Sequence, residues 1–387
     1  MQTIHYKNSF FFIIFAPETI NVFFVKLHIF NPEHDIAMAY DTECITLPHA
    51  IQEFKMNLGY IPALWAKDGD CVLVDDVPYA IKALSKVHRP HADVVFVGLD
   101  DIKNANFTTI EPWGWDVNIS STLIKSGIKV NGLDFKDLVK NSFLDKIKDL
   151  SNRRHTAEML AYIRKGVENL TCGESFYADN FEYFLELAHK YNHIVIKAPW
   201  SSSGRGIRYI TYSDISQSLS GWARNVIKRQ GGLSVEPYYN RLKDFAMEFY
   251  SYGDGRIEYC GLSLFNTDSG TYTGNVIASE NYKSEILSKY LSNELLALIS
   301  QRIRNYLSPI LKDFYCGPFG IDMMVVGTTD GFLLHPCVEI NLRRTMGHVA
   351  NSIRLSDDAP AELMHIVHDV NYMLRFESIE KTFVKVI

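Results

Sequence analysis

The sequence predicts a chain of mixed α/β and α+β class, with a small parallel α/β domain preceding a larger region of helices and antiparallel strands. Three observations carry this. From Lys26 to about Gly132, short apolar runs bounded by turn residues alternate with stretches of helical spacing. Beyond about Asn180 the apolar runs lengthen, and glycine-containing turns join neighbouring runs. The 387 residues amount to two or three domains, ample for a sizeable core.

In the first region the strands are Lys26–Phe30, Cys71–Asp75 and Asp93–Val97, and the helical segments Pro48–Leu58 and Tyr79–Val87 lie between them. Strand–helix–strand repetition means parallel pairing. The segment Asn31-Pro-Glu-His-Asp35 follows the first strand, where parallel sheets bind ligands. A helical connector, Phe135–Gly166, carries Arg153, Arg154 and His155. Ser234–Tyr239, Phe245–Tyr252 and Arg256–Phe265 read as antiparallel strands, with Gly253-Asp-Gly255 as a turn. Ser284–Phe314 reads as one long helix or two.

Composition narrows the function. With 47% hydrophobic and 22% charged residues the chain is neither disordered nor fibrous. A formal charge of −6 argues against a nucleic-acid coat, so a polyanion would need basic groups gathered in one place. The basic residues Arg343, Arg344 and Arg354 form one such group, with Glu339 as the sole acid between His335 and Leu355. The six cysteines are scattered without a CxxC pair, which reads as reduced, mostly buried thiols and a cytoplasmic protein. At the N-terminus, Phe10–Ala16 resembles a short signal-peptide core but is far below the ~20 residues of a membrane-spanning helix. An added strand or an unstructured extension are the other readings.

Two segments carry chemistry. His193-Ile-Val-Ile-Lys197-Ala-Pro-Trp-Ser-Ser-Ser-Gly204-Arg205-Gly206 reads as a strand entering a small-residue loop, with a second strand after it. Such a loop lets backbone N–H groups approach an anion, and Lys197 places a point charge beside it. A plain hairpin with a flexible tip is the alternative. The second segment pairs Phe319-Gly-Ile-Asp322-Met-Met with Cys337-Val-Glu339-Ile-Asn341-Leu-Arg343 across a glycine-containing turn. Glu339 and Asn341 share one strand face, and with Asp322 beside them they offer the hard oxygens that magnesium on phosphates requires. Arg343 keeps the same parity if the strand extends that far. A surface ion-pair strip of Glu339, Arg343 and Arg344 is the alternative. Between the two segments, Glu236 precedes Pro237 at a strand end. Glu248 lies inside an apolar strand and needs a partner, a structural salt bridge being the plain reading.

In this order the segments resemble the ATP-grasp superfamily of nucleotide-dependent ligases, with motifs like those of biotin-carboxylase-type members, over roughly residues 151–352. The resemblance implies an ATP-grasp fold behind a pre-ATP-grasp α/β domain. It divides the chain into 1–25 (an extension of open status), 26–133 (pre-ATP-grasp), 134–178 (connector), 179–239 (N-terminal lobe with the phosphate loop) and 240–387 (C-terminal lobe with the metal site). It implies that Lys197 contacts ATP phosphates, that Arg153 stands where a second phosphate lysine usually occurs, and that Ser203, Gly204 and Gly206 cover the phosphates. Glu236 and Tyr238 flank adenine; Asp322, Glu339 and Asn341 hold Mg2+; Arg343 stabilises an acyl phosphate. Serines in place of loop glycines and arginine in place of lysine are departures from the family pattern.

The activity implied is ATP-dependent joining of a carboxylate to an amine or thiol through an acyl phosphate, releasing ADP and phosphate. A nucleotide-binding regulatory protein without ligation and a secreted binding protein are the competing readings. Partners expected are a small-molecule carboxylate and an amine, with neither nucleic acid nor membrane; a homodimer is left open. Asn31, Glu33 and His34 from the first domain, and Arg344 and His348 after the signature, are candidate substrate contacts, a structural role being the commoner one for a lone loop histidine.

Overall fold

The computed structural model describes residues 25–201, 206–268, 271–353, 355 and 358–379. Residues 1–24 with the Phe10–Ala16 run, and also Ser203, Gly204, Arg205 and Arg354, lie outside the described residues.

The chain opens with β1 (Lys26–Ile29), α1 (His34–Tyr40), α2 (His49–Leu58), β2 (Cys71–Leu73), α3 (Val77–Leu84), β3 (Val95–Val97) and β4 (Thr109–Pro112). The strands form a parallel sheet in the order β3-β2-β1-β4. Leu27 and Ile29 are buried on one face and Phe30 on the other, as expected for a sheet covered on both sides. The sequence shows no clear signal for α1, which starts inside the segment expected to be a loop.

Next come α4 (Val117–Lys125), α5 (Asn141–Leu150) and α6 (Arg154–Arg164), the last two within the expected connector. A second sheet follows, antiparallel, built from β5 (Phe176–Ala178), β6 (His193–Lys197), β7 (Ile207–Thr211) and β8 (Leu233–Pro237) in the order β7-β6-β8-β5. Its helices α7 (Phe181–Tyr191) and α8 (Gln217–Gln230) cover one face through Phe184, Leu187, Ala223 and Val226. Helix α8 starts at a Ser216 cap and stops at Gly231, whose left-handed φ of 84° is a conformation glycine adopts without strain.

The third sheet has seven antiparallel strands. They are β9 (Arg241–Tyr252), β10 (Ile257–Asp268), β11 (Thr271–Ile277), β12 (Cys316–Thr328), β13 (Gly331–Asn341), β14 (Glu362–His368) and β15 (Tyr372–Ser378), ordered β13-β12-β9-β10-β11-β14-β15. Two helices, α9 (Glu280–Ser288) and α10 (Asn293–Leu311), fill the stretch that the sequence left as one helix or two. In α10, Leu295, Ile299, Ile303, Leu307 and Leu311 recur every three or four residues and bury one stripe against Phe245, Phe249 and Phe319. The short α11 (Met346–Ser352) packs on the sheet's other face.

Among the described residues no helix is long and apolar enough to cross a membrane. The expectation of mostly buried thiols fails for Cys44, Cys260 and Cys316, which are exposed.

One buried group in this sheet has a measurable consequence. His335 on β13 is fully buried, and neither ring nitrogen has a partner beyond its own backbone. The ring lies against Gly173, where a Cβ would come within 2.7 Å of its Nε2, and meets the edge of Tyr239 at 5.5 Å. Burial, reinforced by Lys197 and Arg164, pushes its pKa down from 6.5 to about 3. The unfolded chain therefore binds this proton more readily than the fold does. Its contribution is present above pH 6.5 and is lost as pH falls toward 3. Chemical denaturation of His335→Leu should show a shallower loss of stability below pH 6.5 than wild type.

Candidate active site

Where the three sheets meet, one cavity of about 590 Å³ is lined by residues from all of them, a size within the usual range for ligand pockets. Nearly every described site residue expected from the sequence opens onto it: Lys197, Glu236, Tyr238, Asp322, Glu339, Asn341, Arg343 and Arg153. Gly206 lies at the mouth of the loop after β6, where an added Cβ would meet Ser201 Cβ and Oγ at 2.3 Å. Only glycine permits that approach.

The β6–β8 sheet contributes one wall. Lys197 ends β6 with its side chain buried, and its Nζ donates to both carboxylate oxygens of Glu236 on β8 at 2.7 Å. Antiparallel pairing sets Ser234 opposite Lys197, so Glu236 reaches the amine from two positions along the same face. Glu236 thus grips the lysine with its side chain. Around this pair, Val195, Ile207, Tyr209, Pro237 and Tyr238 form a mixed aliphatic and aromatic slot, with Tyr209 and Tyr238 rings 6.3 Å apart.

Floor and far wall come from β9, β12 and β13. Asp322 and Glu339 are directly opposite each other in the β12–β13 register, and a bulge lies just after Asp322, between it and Met324. Burial first, then the charges of Glu339 and Glu248, push the Asp322 carboxyl up to about 8, while Arg343 and a hydrogen bond with Asn341 act the other way. Glu248 on β9 is buried and accepts from Thr345 Oγ1 at 2.8 Å; its Oε2 lies 3.0 Å from His348 Nδ1 without a hydrogen bond, because that nitrogen accepts from the Thr345 backbone N–H. The partner of Glu248 is thus a hydroxyl rather than the salt bridge expected.

Arg153 precedes α6 and ties the elements together. Its guanidinium donates to Glu339 Oε1 at 2.6 Å, to Ser201 Oγ at 3.1 Å and to the Ala198 carbonyl. Arg343 lies beyond the end of β13, so strand parity does not place it. It forms a two-pronged pair with Asp35 on α1, at 3.0 and 3.3 Å. Burial alone would raise the Asp35 carboxyl, but Arg343, with His34 and Arg153 behind it, holds it below its ordinary range.

Several expectations are corrected. Glu339, Arg343 and Arg344 form no surface strip: they pair separately with Arg153, Asp35 and Glu111, all in partly or wholly buried settings. Asn31 and His34 bond to Asp116, and Glu33 pairs with Lys55; they brace the first domain and do not line the cavity. Arg344 lies over the Trp65 ring at 4.4 Å, and His348 closes a capping box with Thr345 and bonds to the Phe249 carbonyl. Asp35 and Asp244 line the cavity but were not singled out in the sequence. Asp244 shares the face of Ala246 and Glu248, so strand parity could have found it. Nothing local marks Asp35.

Asp322, Glu339 and Asn341 bring two carboxylates and an amide together, and burial, followed by the charges of Glu339 and Glu248, keeps the Asp322 carboxyl raised. Among the described residues, no group of three or more His, Cys, Asp or Glu is placed to hold a metal ion.

A scan against protein-family models finds no match, and neither does a search of curated proteins. Solved structures do match. The biotin carboxylase domain of Hydrogenobacter thermophilus 2-oxoglutarate carboxylase, in complex with MgADP, ADP and bicarbonate, is similar at TM-score 0.50 and 14% identity, over 88% of this chain and 74% of that one. Biotin carboxylase from Campylobacter jejuni gives 0.49 at 13% over 88% and 75%. N5-carboxyaminoimidazole synthetase from Staphylococcus aureus with ADP gives 0.47 at 10% over 89% and 83%. The chain has the ATP-grasp fold, preceded by a parallel α/β unit.

The buried Lys197–Glu236 pair makes a prediction. Removing one partner strands the other charge, at a cost of about 3–5 kcal/mol, whereas replacing both with apolar groups is close to neutral. Urea denaturation should find Glu236→Leu strongly destabilised and Lys197→Met/Glu236→Leu close to wild type.

Proposed function

We propose that this protein is an ATP-dependent ligase that joins a carboxylate to an amine or thiol through an acyl phosphate, with Mg2+, releasing ADP and phosphate. The observation that supports this most is the convergence, in one cavity, of two cations on the β6 loop side with two carboxylates, an amide and Arg343 on the β12–β13 side.

On this reading the slot of Val195, Ile207, Tyr209 and Tyr238 takes adenine, and Lys197 and Arg153 meet the phosphates. Asp322, Glu339 and Asn341 hold Mg2+, with phosphate oxygens completing its shell. Bound there, the ion neutralises charge on the transferring phosphoryl group. Lys197 and Arg153 orient the phosphates, and Arg343 receives charge developing on the carboxylate and the acyl phosphate. Arg153 now occupies Glu339, so the guanidinium must move from carboxylate to phosphate as ligands arrive.

Two measurements test this. Glu339→Gln should lower carboxylate-dependent ADP release by roughly a hundredfold or more while leaving the melting temperature within a few degrees. Full activity in this variant would refute the assignment. In the metal-free protein the Asp322 proton is held up to about pH 8, so its stabilising effect fades as pH rises through that value. Mg2+ should therefore raise the melting temperature more above pH 8 than at pH 6, and Asp322→Asn should abolish that difference. Nucleotide binding without acyl transfer to any acceptor would favour the regulatory alternative.

A further inference from the structure

The cavity continues past Arg343 into a compartment of different character. Its walls are Phe30, Ile51, Phe54, Trp113, Ile366 and Tyr372. Phe30 and Trp113 follow β1 and β4, at the carboxyl edge of the parallel sheet, where such sheets bind ligands. A chain of ring contacts joins the walls: Trp113 to Phe30 at 5.1 Å, Phe30 to Phe54 at 6.1 Å, Phe54 to Tyr372 at 5.1 Å. Phe30 and Trp113 are almost fully buried and form a fixed back wall, whereas Ile51, Phe54, Ile366 and Tyr372 are half-buried.

Charge in this compartment is confined to one pair, Asp35 with Arg343. The other cations on the cavity are committed elsewhere: Lys197 to Glu236, Arg153 to Glu339 and Arg241 to Asp244. Arg343 directs three N–H groups to Asp35 and to the Arg344 carbonyl. A guanidinium has five, so two remain for one incoming carboxylate. A second anionic group would lose its hydration here with no cation to receive it.

We propose that this compartment selects a monocarboxylate with an apolar or aromatic body and no second anionic group as the acid that the enzyme activates. The inference rests on the ligase reading and narrows its substrate class. In the first step a carboxylate oxygen attacks the γ-phosphorus, the bond from that phosphorus to the ADP oxygen breaks, and ADP leaves. The nucleophile then attacks the acyl carbon, the carbon–oxygen bond to phosphate breaks, and the nucleophile's proton passes to solvent.

Hydroxylamine can stand in for the unidentified nucleophile, trapping the activated acid as a hydroxamate. The full chain is assayed with MgATP, hydroxylamine and a panel of acids: phenylacetate, isovalerate, leucine and phenylalanine against succinate, glutamate and phosphoserine. Apolar acids should exceed the dianionic ones in kcat/KM by about tenfold or more. Phe54→Ala should raise KM for the best apolar acid about tenfold with little change in kcat. Ile51→Lys should shift preference toward the dianions, a gain that misfolding cannot produce. Preference for a dianionic acid in the wild type overturns the inference, as does an unchanged KM in Phe54→Ala. So does the absence of hydroxamate from every apolar acid while a fluorescent ATP analogue still binds; in all three cases the nucleotide site stands. Failure of the wild type to bind the analogue at all would instead remove the ligase reading, and this inference with it.

Discussion

Placing Asp322 directly across from Glu339 in a largely buried cavity is the constraint to which the surrounding architecture responds. Two carboxylates on neighbouring strands, with Glu248 on a third, repel one another where little water screens them. The fold answers from three directions. Arg153 arrives from the start of α6, Arg343 from beyond β13, and Thr345 donates its hydroxyl to Glu248 from the edge of α11. Burial still raises the Asp322 carboxyl more than these groups lower it. On the proposed function, a cation would relieve that crowding between the carboxylates.

The sequence made the strands and their faces legible because those depend on local alternation. Glu339 and Asn341 sit on one face because their spacing is two, and Lys197 ends its strand because small residues follow. Charge partners were not legible, since they depend on how separate sheets dock. Arg343 meets Asp35 across 308 residues, and Arg153 meets Glu339 across 186. Neither distance leaves a local trace. The same reason explains why the structural role of His34 had no identifiable partner in the sequence: its position after β1 is local, but the buried Asp116 that holds its ring is 82 residues away. Helix α1 was missed because its seven residues are too few to establish a period.

The Arg343–Asp35 pair has a second role beyond charge balance. Asp35 belongs to the unit built on the parallel sheet, and Arg343 to the end of the seven-stranded sheet. Beside it, Arg344 donates its backbone N–H to the Trp113 carbonyl and lies over Trp65, both within the first unit. The segment just past β13 thus joins the strand bearing Glu339 to the aromatic wall of the adjoining compartment. Movement of one unit relative to the other would change the position of the guanidinium that faces both.

Arginine rather than lysine at position 153 fits this economy of contacts. A lysine ammonium is a single point charge, whereas the planar guanidinium presents several N–H groups in fixed directions. Arg153 uses that geometry to hold the Ala198 carbonyl, Ser201 and Glu339 together, joining the start of the loop after β6 to the strand bearing Glu339. The walls of the cavity are therefore linked through one side chain. On the proposed reaction, ligand entry substitutes phosphate for Glu339 at one end of the guanidinium while the backbone contact at the other end persists. Arg153 would then couple arrival of the polyphosphate to release of Glu339.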